Sequence, residues 1–477
     1  MTAVETRVPE AAALPEGVDR ALVGEAPPSA AGPTGPEDAG RPEPPSVPLP
    51  RALQILRINM RQIEFVFRWR RELGEVFRTR ESLGRSVVTG HPDHVRSLFT
   101  ANTELAPSIT AESPLRPIVG PASVLTANGP RHLRQRKLLL APFHGEAIER
   151  YVQMISQVTE RELDRWPIGA PFALAPQMQS ITLDVIMAGI LGVDAMPARG
   201  TPEFGLRMAV KHIAKLSTTH VAQLAELMNA GKEEPVGLQR RAMAILDRFA
   251  YPVITARRAA PDLDERTDIL SLIMRARTEE GEPLTDQELR DELITLVLAG
   301  FETTANSLAW TWERLVRSPT AYERLREAVR SGVGGAEHVE AAIIEGMRTR
   351  PVIPAIGRRV TVPWRLGDYV TEPGTPIIMS ILLVHHREDL YPDPFAYRPE
   401  RWLGRKPGTY EWIPFGGGTR RCLGAALAMA EQRVVLEAMI RRLDLEAEDP
   451  APEHAVHRNV TMIPSRGARV VVRSRTG

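Results

Sequence analysis

The stretch Phe415-Gly416-Gly417-Gly418-Thr419-Arg420-Arg421-Cys422-Leu423-Gly424 holds the chain's only cysteine and runs directly into the apolar-periodic segment ALAMAEQRVVLEAMIRRL. A lone cysteine is most often an inert buried thiol, so its neighbours decide its use. Consecutive glycines let a chain turn tightly and approach a flat ring without side-chain collision. A thiol at the start of a helix meets free N–H groups and the positive end of the dipole, which favours the thiolate. Phe415 can shield the sulfur, and Gly424 lets the helix pass close to the ring. These are the requirements of a thiolate bound to the iron of a planar macrocycle, tuned by hydrogen bonds and dryness around the sulfur. A glycine-rich turn carrying a buried cysteine is the plainer alternative.

Two other groupings carry chemistry. Within a helix expected over about residues 288–316, Ala299-Gly300-Phe301-Glu302-Thr303-Thr304 interrupts an apolar run. A central glycine costs a helix about 1 kcal/mol relative to alanine. An acid and two hydroxyls on such a face need a use, unless a threonine merely bonds back to the preceding turn. His132 and Arg136 stand at (i, i+4), on one face of one helix. Glu345 and Arg348 share the spacing of Glu323/Arg326 and Glu327/Arg330, which read as solvated pairs, so spacing alone does not single them out.

The cysteine segment resembles the cytochrome P450 signature F-x-x-G-x-R-x-C-x-G at every fixed position: Phe415, Gly418, Arg420, Cys422 and Gly424. Further elements fall in the family's order. Glu345-Gly-Met-Arg348 resembles the E-x-x-R of the K helix, and Tyr397-Arg-Pro-Glu-Arg401-Trp402 resembles the P-E-R-F segment with Trp for Phe. The resemblance implies that Arg401 closes a Glu345–Arg348–Arg401 network supporting the cysteine loop. It further implies haem b as cofactor, with Cys422 as iron ligand. His132, Arg136, Arg420 and Arg358 would be its propionate partners, although adjacent Arg359 leaves a one-residue ambiguity. Residues 299–304 resemble the A-G-x-D/E-T motif, which makes Glu302 the proton-relaying acid and Thr303 the alcohol that hydrogen-bonds reduced oxygen. Small residues at Ala299 and Gly300 would leave room for O2. The implied function is a monooxygenase of the soluble bacterial type acting on a lipophilic substrate. The pocket would be lined by the 100–125 loop, helices near 175–225, residues 298–303 and 352–356, and Met462 and Ile463. A peroxygenase or isomerase, or a non-catalytic haem or lipid binder, are the rival readings.

These residues need a scaffold, and the pattern reads as mainly α with a small β portion, which the resemblance makes a helical prism around a buried haem. Residues 1–48, rich in Pro, Gly, Ala and Glu, read as a disordered tail. Residues 49–477 read as one domain dominated by amphipathic helices between Gly145 and Arg330, with strand-like pieces at 358–376 and in GARVVVRS. Hydrophobic residues make up 43% and charged residues 25% of 477, and the net charge is +1, so nothing points to nucleic acid. The sequence has no secretory leader pattern and no apolar run of about 20 residues, and one cysteine permits no internal disulfide. A cytoplasmic setting without a transmembrane anchor is expected. No flavin or nicotinamide fingerprint occurs, so electrons must come from a separate ferredoxin or flavodoxin with its reductase. Residues 131–137 with Arg420, Arg421 and Arg433 are a candidate basic docking face.

Overall fold

The computed structural model describes residues 23–477 except 82–83, 114, 141–142, 144–145, 193–196, 217–228, 230–231, 233, 278–280, 459 and 477. Helices dominate: α1 (Arg51–Leu73), α2 (Pro92–Thr100), α3 (Arg116–Val119), α4 (Gly129–Leu140), α5 (Glu146–Leu163), α6 (Leu174–Leu191), α7 (Pro202–Leu216), α8 (Gly237–Arg258) and α9 (Ile269–Arg275) precede the central α10 (Asp286–Leu315). After it come α11 (Pro319–Ser331), α12 (Gly335–Thr349), α13 (Ile381–His385) and α14 (Ala425–Arg442).

Helix α10 begins where a capping box dictates. Thr285 Oγ1 accepts from Glu288 N at 3.2 Å, and Glu288 Oε2 accepts from Thr285 N at 3.0 Å. Its 30 residues span about 45 Å and are buried around most of the circumference, so it runs through the core instead of over it. Helix α6 lies along it, and Thr182 Oγ1 donates to Phe301 O at 2.8 Å. Leu174–Leu191 is also, by composition, the one helix among the described residues long and apolar enough to cross a membrane. Its all-round apolar character follows from burial: Leu183, Ile186 and Ile190 pack in the same cluster as Leu293, Val297 and Phe301 of α10.

The sheets are small and peripheral. Strands β2 (Val76–Glu81), β3 (Gly84–Thr89), β8 (Pro376–Ser380) and β5 (Ala355–Arg359) form one, in that order. The strand β12 (Arg469–Arg475) sits between β4 (Pro171–Ala173) and β9 (Leu443–Ala447), while β10 (Ala455–Arg458) and β11 (Thr461–Pro464) make a hairpin. The expected strands near 358–376 and at the C-terminus are present as β5, β8 and β12.

The expectation that all of 1–48 lacks structure fails for residues 23–48. Strand β1 (Ala31–Pro33) pairs antiparallel with β6 (Trp364–Leu366), which pairs with β7 (Tyr369–Thr371). Asp38 is buried against Arg41 at 2.8 Å and Arg365 at 3.1 Å, Gly24 N donates to Leu390 O at 2.8 Å, and Val47 is part of a core cluster. A Pro-rich stretch cannot build its own core, but extended backbone can join a sheet edge whose partners the rest of the fold supplies. A chain truncated through residue 45 should therefore melt about 5 °C below one truncated through residue 22, through loss of the β1 pairing and the Asp38 ion pairs. Equal melting temperatures by calorimetry would show that this segment contributes nothing.

Candidate functional site

The post-cysteine helix, the cysteine loop, α10 and the β10–β11 hairpin border one open cavity of about 3150 Å³, several times an ordinary small-ligand pocket of about 300–1,000 Å³. Cys422, Ala299, Glu302 and Thr303 all lie on its wall. The cysteine loop is fixed by glycines at two points of close approach. Gly418 has φ +62°, and a Cβ there would stand 2.1 Å from Phe99 O; a Cβ at Gly417 would stand 2.1 Å from the Phe99 ring. Cys422 N donates to Phe415 O at 2.9 Å, and Phe415 packs edge-on to Trp412 with ring centres 5.9 Å apart. A Cβ on Gly424 would meet no protein atom within 4 Å, so that side of the helix start faces room.

The Cys422 sulfur is exposed to the cavity yet lies deep in the molecule. Burial raises its pKa, against the lowering effects of the Gly424 N–H, Arg136 and Arg421. The expected depression of the thiol pKa by the helix start is thus outweighed. Helix α14 begins three residues later, at Ala425, and desolvation dominates. A metal ion at the sulfur supplies what the protein alone does not, because a coordinating thiol loses its proton outright.

Around the same cavity stand His132, Arg136, Arg358 and Arg420. Burial, then Arg420, Arg136 and Arg358, push the His132 pKa down to about 3, and its buried Nδ1 has no hydrogen-bond partner among the described residues. Burial holds Arg358 down to about 10; burial followed by Arg358 and Arg136 does the same to Arg420. None of these three arginines has a carboxylate partner among the described residues, although Arg420 donates to Val124 O at 3.3 Å, to Ala127 O and to Asn128 Oδ1. The strand alternation of β5 resolves the 358/359 ambiguity: Arg359 turns outward to Glu112, with Nε–Oε1 at 2.9 Å, while Arg358 is buried on the cavity wall. One buried and two half-buried guanidiniums beside an imidazole nitrogen left without a partner call for an anion. Two propionates on a flat ring, with a thiol facing the same cavity and no side chain at Gly424, fit this set.

The loop that Arg420 grips is itself pinned to α10. Ala122 N donates to Asp291 Oδ2 at 2.9 Å and Val124 N to Glu292 Oε1 at 2.8 Å. Burial raises the Glu292 pKa to about 8, against the Val124 hydrogen bond. Sequence reasoning passed over both acids, which read as ordinary positions of an amphipathic helix.

On α10, Thr303 Oγ1 donates to Ala299 O at 2.7 Å, the back-bonding geometry, while its hydroxyl stays on the cavity wall. Ala299 and Gly300 both lie on the wall. A Cβ at Gly300 would stand 2.6 Å from the Ile186 side chain, so that glycine also serves the close approach of α6. Glu302 lies 3.5 Å from Arg458 Nε. Of the expected lining, Ile109, Ile186, Ile356 and Met462 are on the wall, Ile463 is not, and residues 217–225 lie outside the described set.

The support network is complete and dry. Arg348 Nε donates to Glu345 Oε2 at 2.8 Å and Nη2 to Oε1 at 2.7 Å, and Arg401 Nε approaches Oε1 at 3.3 Å, all three side chains being fully buried. Trp402, where the family segment has Phe, adds an indole N–H to Glu345 Oε2 at 2.9 Å. Arg348 also donates to His385 O and Pro394 O. His385 Nε2 accepts from Ile413 N at 2.8 Å, Trp412 Nε1 donates to Ile344 O at 3.1 Å, and Tyr391 Oη donates to Glu411 O at 2.9 Å. Through these contacts the network reaches the cysteine loop. Trp402 was visible in the sequence only as a departure from the family segment, and neither Trp412 nor His385 carried any local signal. The candidate basic face is partly neutralised: Arg134 pairs with Glu288 and Arg433 with Glu340, while Arg131 and Arg421 are exposed.

A profile of the cytochrome P450 family matches residues 42–472. A Mycobacterium tuberculosis protein named cytochrome P450 137 is 39% identical over 393 residues, 82% of this chain and 81% of its own length. A Mycobacterium bovis protein named cytochrome P450 138 is 37% identical over 434 residues, 91% and 96% respectively. Among solved structures, cyanobacterial CYP120A1 with retinoic acid bound superposes with a TM-score of 0.77 at 23% identity, covering 91% of this chain and 100% of that one. That likeness is one of fold.

Two substitutions test the geometry. Trp402→Phe removes one donor from a buried carboxylate and should cost about 1–2 kcal/mol in urea unfolding. Arg358→Met should lose haem to an apo-globin trap about tenfold faster than the parent, whereas Arg359→Met, which breaks only a surface pair, should not. Equal haem loss in both arginine variants would put the propionate contact elsewhere.

Proposed function

The chain belongs to the cytochrome P450 family of haem monooxygenases, and on that premise we propose that it inserts one atom of O2 into a lipophilic substrate, using haem b on Cys422 and electrons from a separate ferredoxin or flavodoxin with its reductase. The observation that carries this reading is the shared cavity. Cys422, the arginines that lack a carboxylate partner among the described residues and the Glu302/Thr303 turn of α10 all border one space, whose remaining wall includes Ile109, Ile186 and Ile356.

Bound there, haem supplies the redox-active iron at which O2 takes up two electrons and two protons, one oxygen atom leaving as water. The protein's own share is positioning and proton handling. Arg136, Arg358 and Arg420 would offset the charge of the two propionates and neutral His132 would hydrogen-bond one of them, which together would orient the ring. Phe415 and the Gly416–Gly418 turn keep water from the sulfur. Thr303 commits its hydrogen to Ala299 O, which leaves its oxygen lone pairs free to accept on the cavity side. Glu302 is the group that brings protons from solvent toward that hydroxyl. Apolar walls select a lipophilic substrate. Exposed Arg131 and Arg421 supply positive charge for an acidic electron donor.

The pairing of an acid and an alcohol on the wall favours a reductase-driven enzyme over a peroxide-driven one, which has no need of a proton relay. Cys422→Ala should abolish the thiolate-type Soret band of the ferrous–CO complex, because no other cysteine can substitute; a retained band would refute the assignment. Thr303→Ala should still accept electrons but give about tenfold less product per NADPH, with hydrogen peroxide rising to match. Thr304→Ala should be mild, since neighbouring helix positions point about 100° apart. The reverse pattern, measured as NADPH, peroxide and product together, would shift the reading by one residue.

A further inference from the structure

Glu302 does not stand free on the cavity wall. Its Oε1 lies 3.5 Å from Arg458 Nε and 3.4 Å from Thr461 Oγ1. The Thr461 hydroxyl has a nearer acceptor, Arg458 O at 2.8 Å, so the guanidinium is the partner that holds the carboxylate. Arg458 is buried and ends β10, and Thr461 begins β11. The hairpin is anchored at Met462, whose carbonyl accepts from Trp310 Nε1 at 3.0 Å and whose N–H donates to Val352 O at 2.7 Å. Ala455, Val456 and Val460 of the same hairpin line the cavity. A molecule filling the cavity would therefore contact the element that carries Arg458.

We infer that Arg458 is a positioning residue that keeps the Glu302 carboxylate on the C-terminal hairpin until substrate displaces that hairpin, so that proton supply begins only in a filled cavity. This inference rests on the proton-relay role proposed for Glu302. A 3.5 Å contact between a buried guanidinium and a partly exposed carboxylate is strong enough to bias a flexible side chain. It is also long enough to be displaced by contacts that favour the separated state. The benefit is economy of electrons. Without substrate, two electrons and two protons delivered to O2 end as hydrogen peroxide.

The test uses the substrate-free holoenzyme with a surrogate ferredoxin and reductase, reading NADPH oxidation and hydrogen peroxide. It compares Arg458→Met, Arg458→Lys, Glu302→Gln and the Arg458→Met/Glu302→Gln double variant. Arg458→Met should raise both rates about fivefold, the population shift expected on losing a partly buried ion pair. Arg458→Lys should stay near the parent. Glu302→Gln should fall below it, and the double variant should match Glu302→Gln. Hydrogen exchange over residues 455–464 should rise alike in Arg458→Met and Glu302→Gln. If exchange rises but peroxide formation in Arg458→Met stays at the parental level, the pair is only a staple of the hairpin and the inference falls. Unchanged exchange in both single variants overturns it as well. If Glu302→Gln keeps parental rates, what fails is the relay role of Glu302, whatever Arg458→Met does.

Discussion

Taking a carboxylate and two guanidiniums out of water costs several kcal/mol per ion, and the cost is met only when every lone pair and N–H finds a partner. Around Glu345 that condition holds. Arg348, Arg401, Trp402 Nε1 and the Arg398 backbone N–H converge on its two oxygens, while Arg348 spends its remaining donors on the carbonyls of His385, Pro394 and Ala396. Satisfying one buried acid therefore fixes the path of residues 385–402. That path presents His385 and Tyr391 to the backbone at Ile413 and Glu411, a few residues before the cysteine. The place of Cys422 depends on a cluster it never touches.

The cavity shows the opposite electrostatic condition. Arg136 and Arg358 press on Arg420, all three press on His132, and burial lowers the pKa values of all four. At Glu345 each guanidinium has a carboxylate within reach, whereas Arg136, Arg358 and Arg420 have none among the described residues. Two ring-borne carboxylates would offset two of these three charges, so that binding such a ring would also stabilise this part of the fold.

Helix α10 divides its labour by the angle between successive residues. Gly300 faces α6 and lets the two helices close on each other; Ala299 and Thr303 face the cavity; Glu302 reaches the C-terminal hairpin. A change in register of one residue would exchange these faces. The capping box at Thr285 and the contacts of Asp291 and Glu292 with the 120–125 loop therefore help to set where the chemistry happens.

The ten residues around Cys422, the acid–alcohol pair and the order of the supporting motifs were legible in the sequence, because a thiolate beside a flat ring constrains consecutive positions. The long helices were legible for a similar reason: α10 carries its start in Thr285 and Glu288, and α1, α5 and α14 carry their periodicity. Contacts between distant segments were not. Whether Arg358 or Arg359 faces the cavity depends on the pairing of β5 with β8; Gly300 serves packing because Ile186 arrives from another helix. Residues 23–48 are ordered by a sheet edge formed more than 300 positions later, and Glu302 meets Arg458 only because the hairpin folds back. Local backbone and side-chain preferences act over a few neighbouring residues, and so they fix which groups are available. Which of those groups meet is decided by burial and charge pairing across the whole chain.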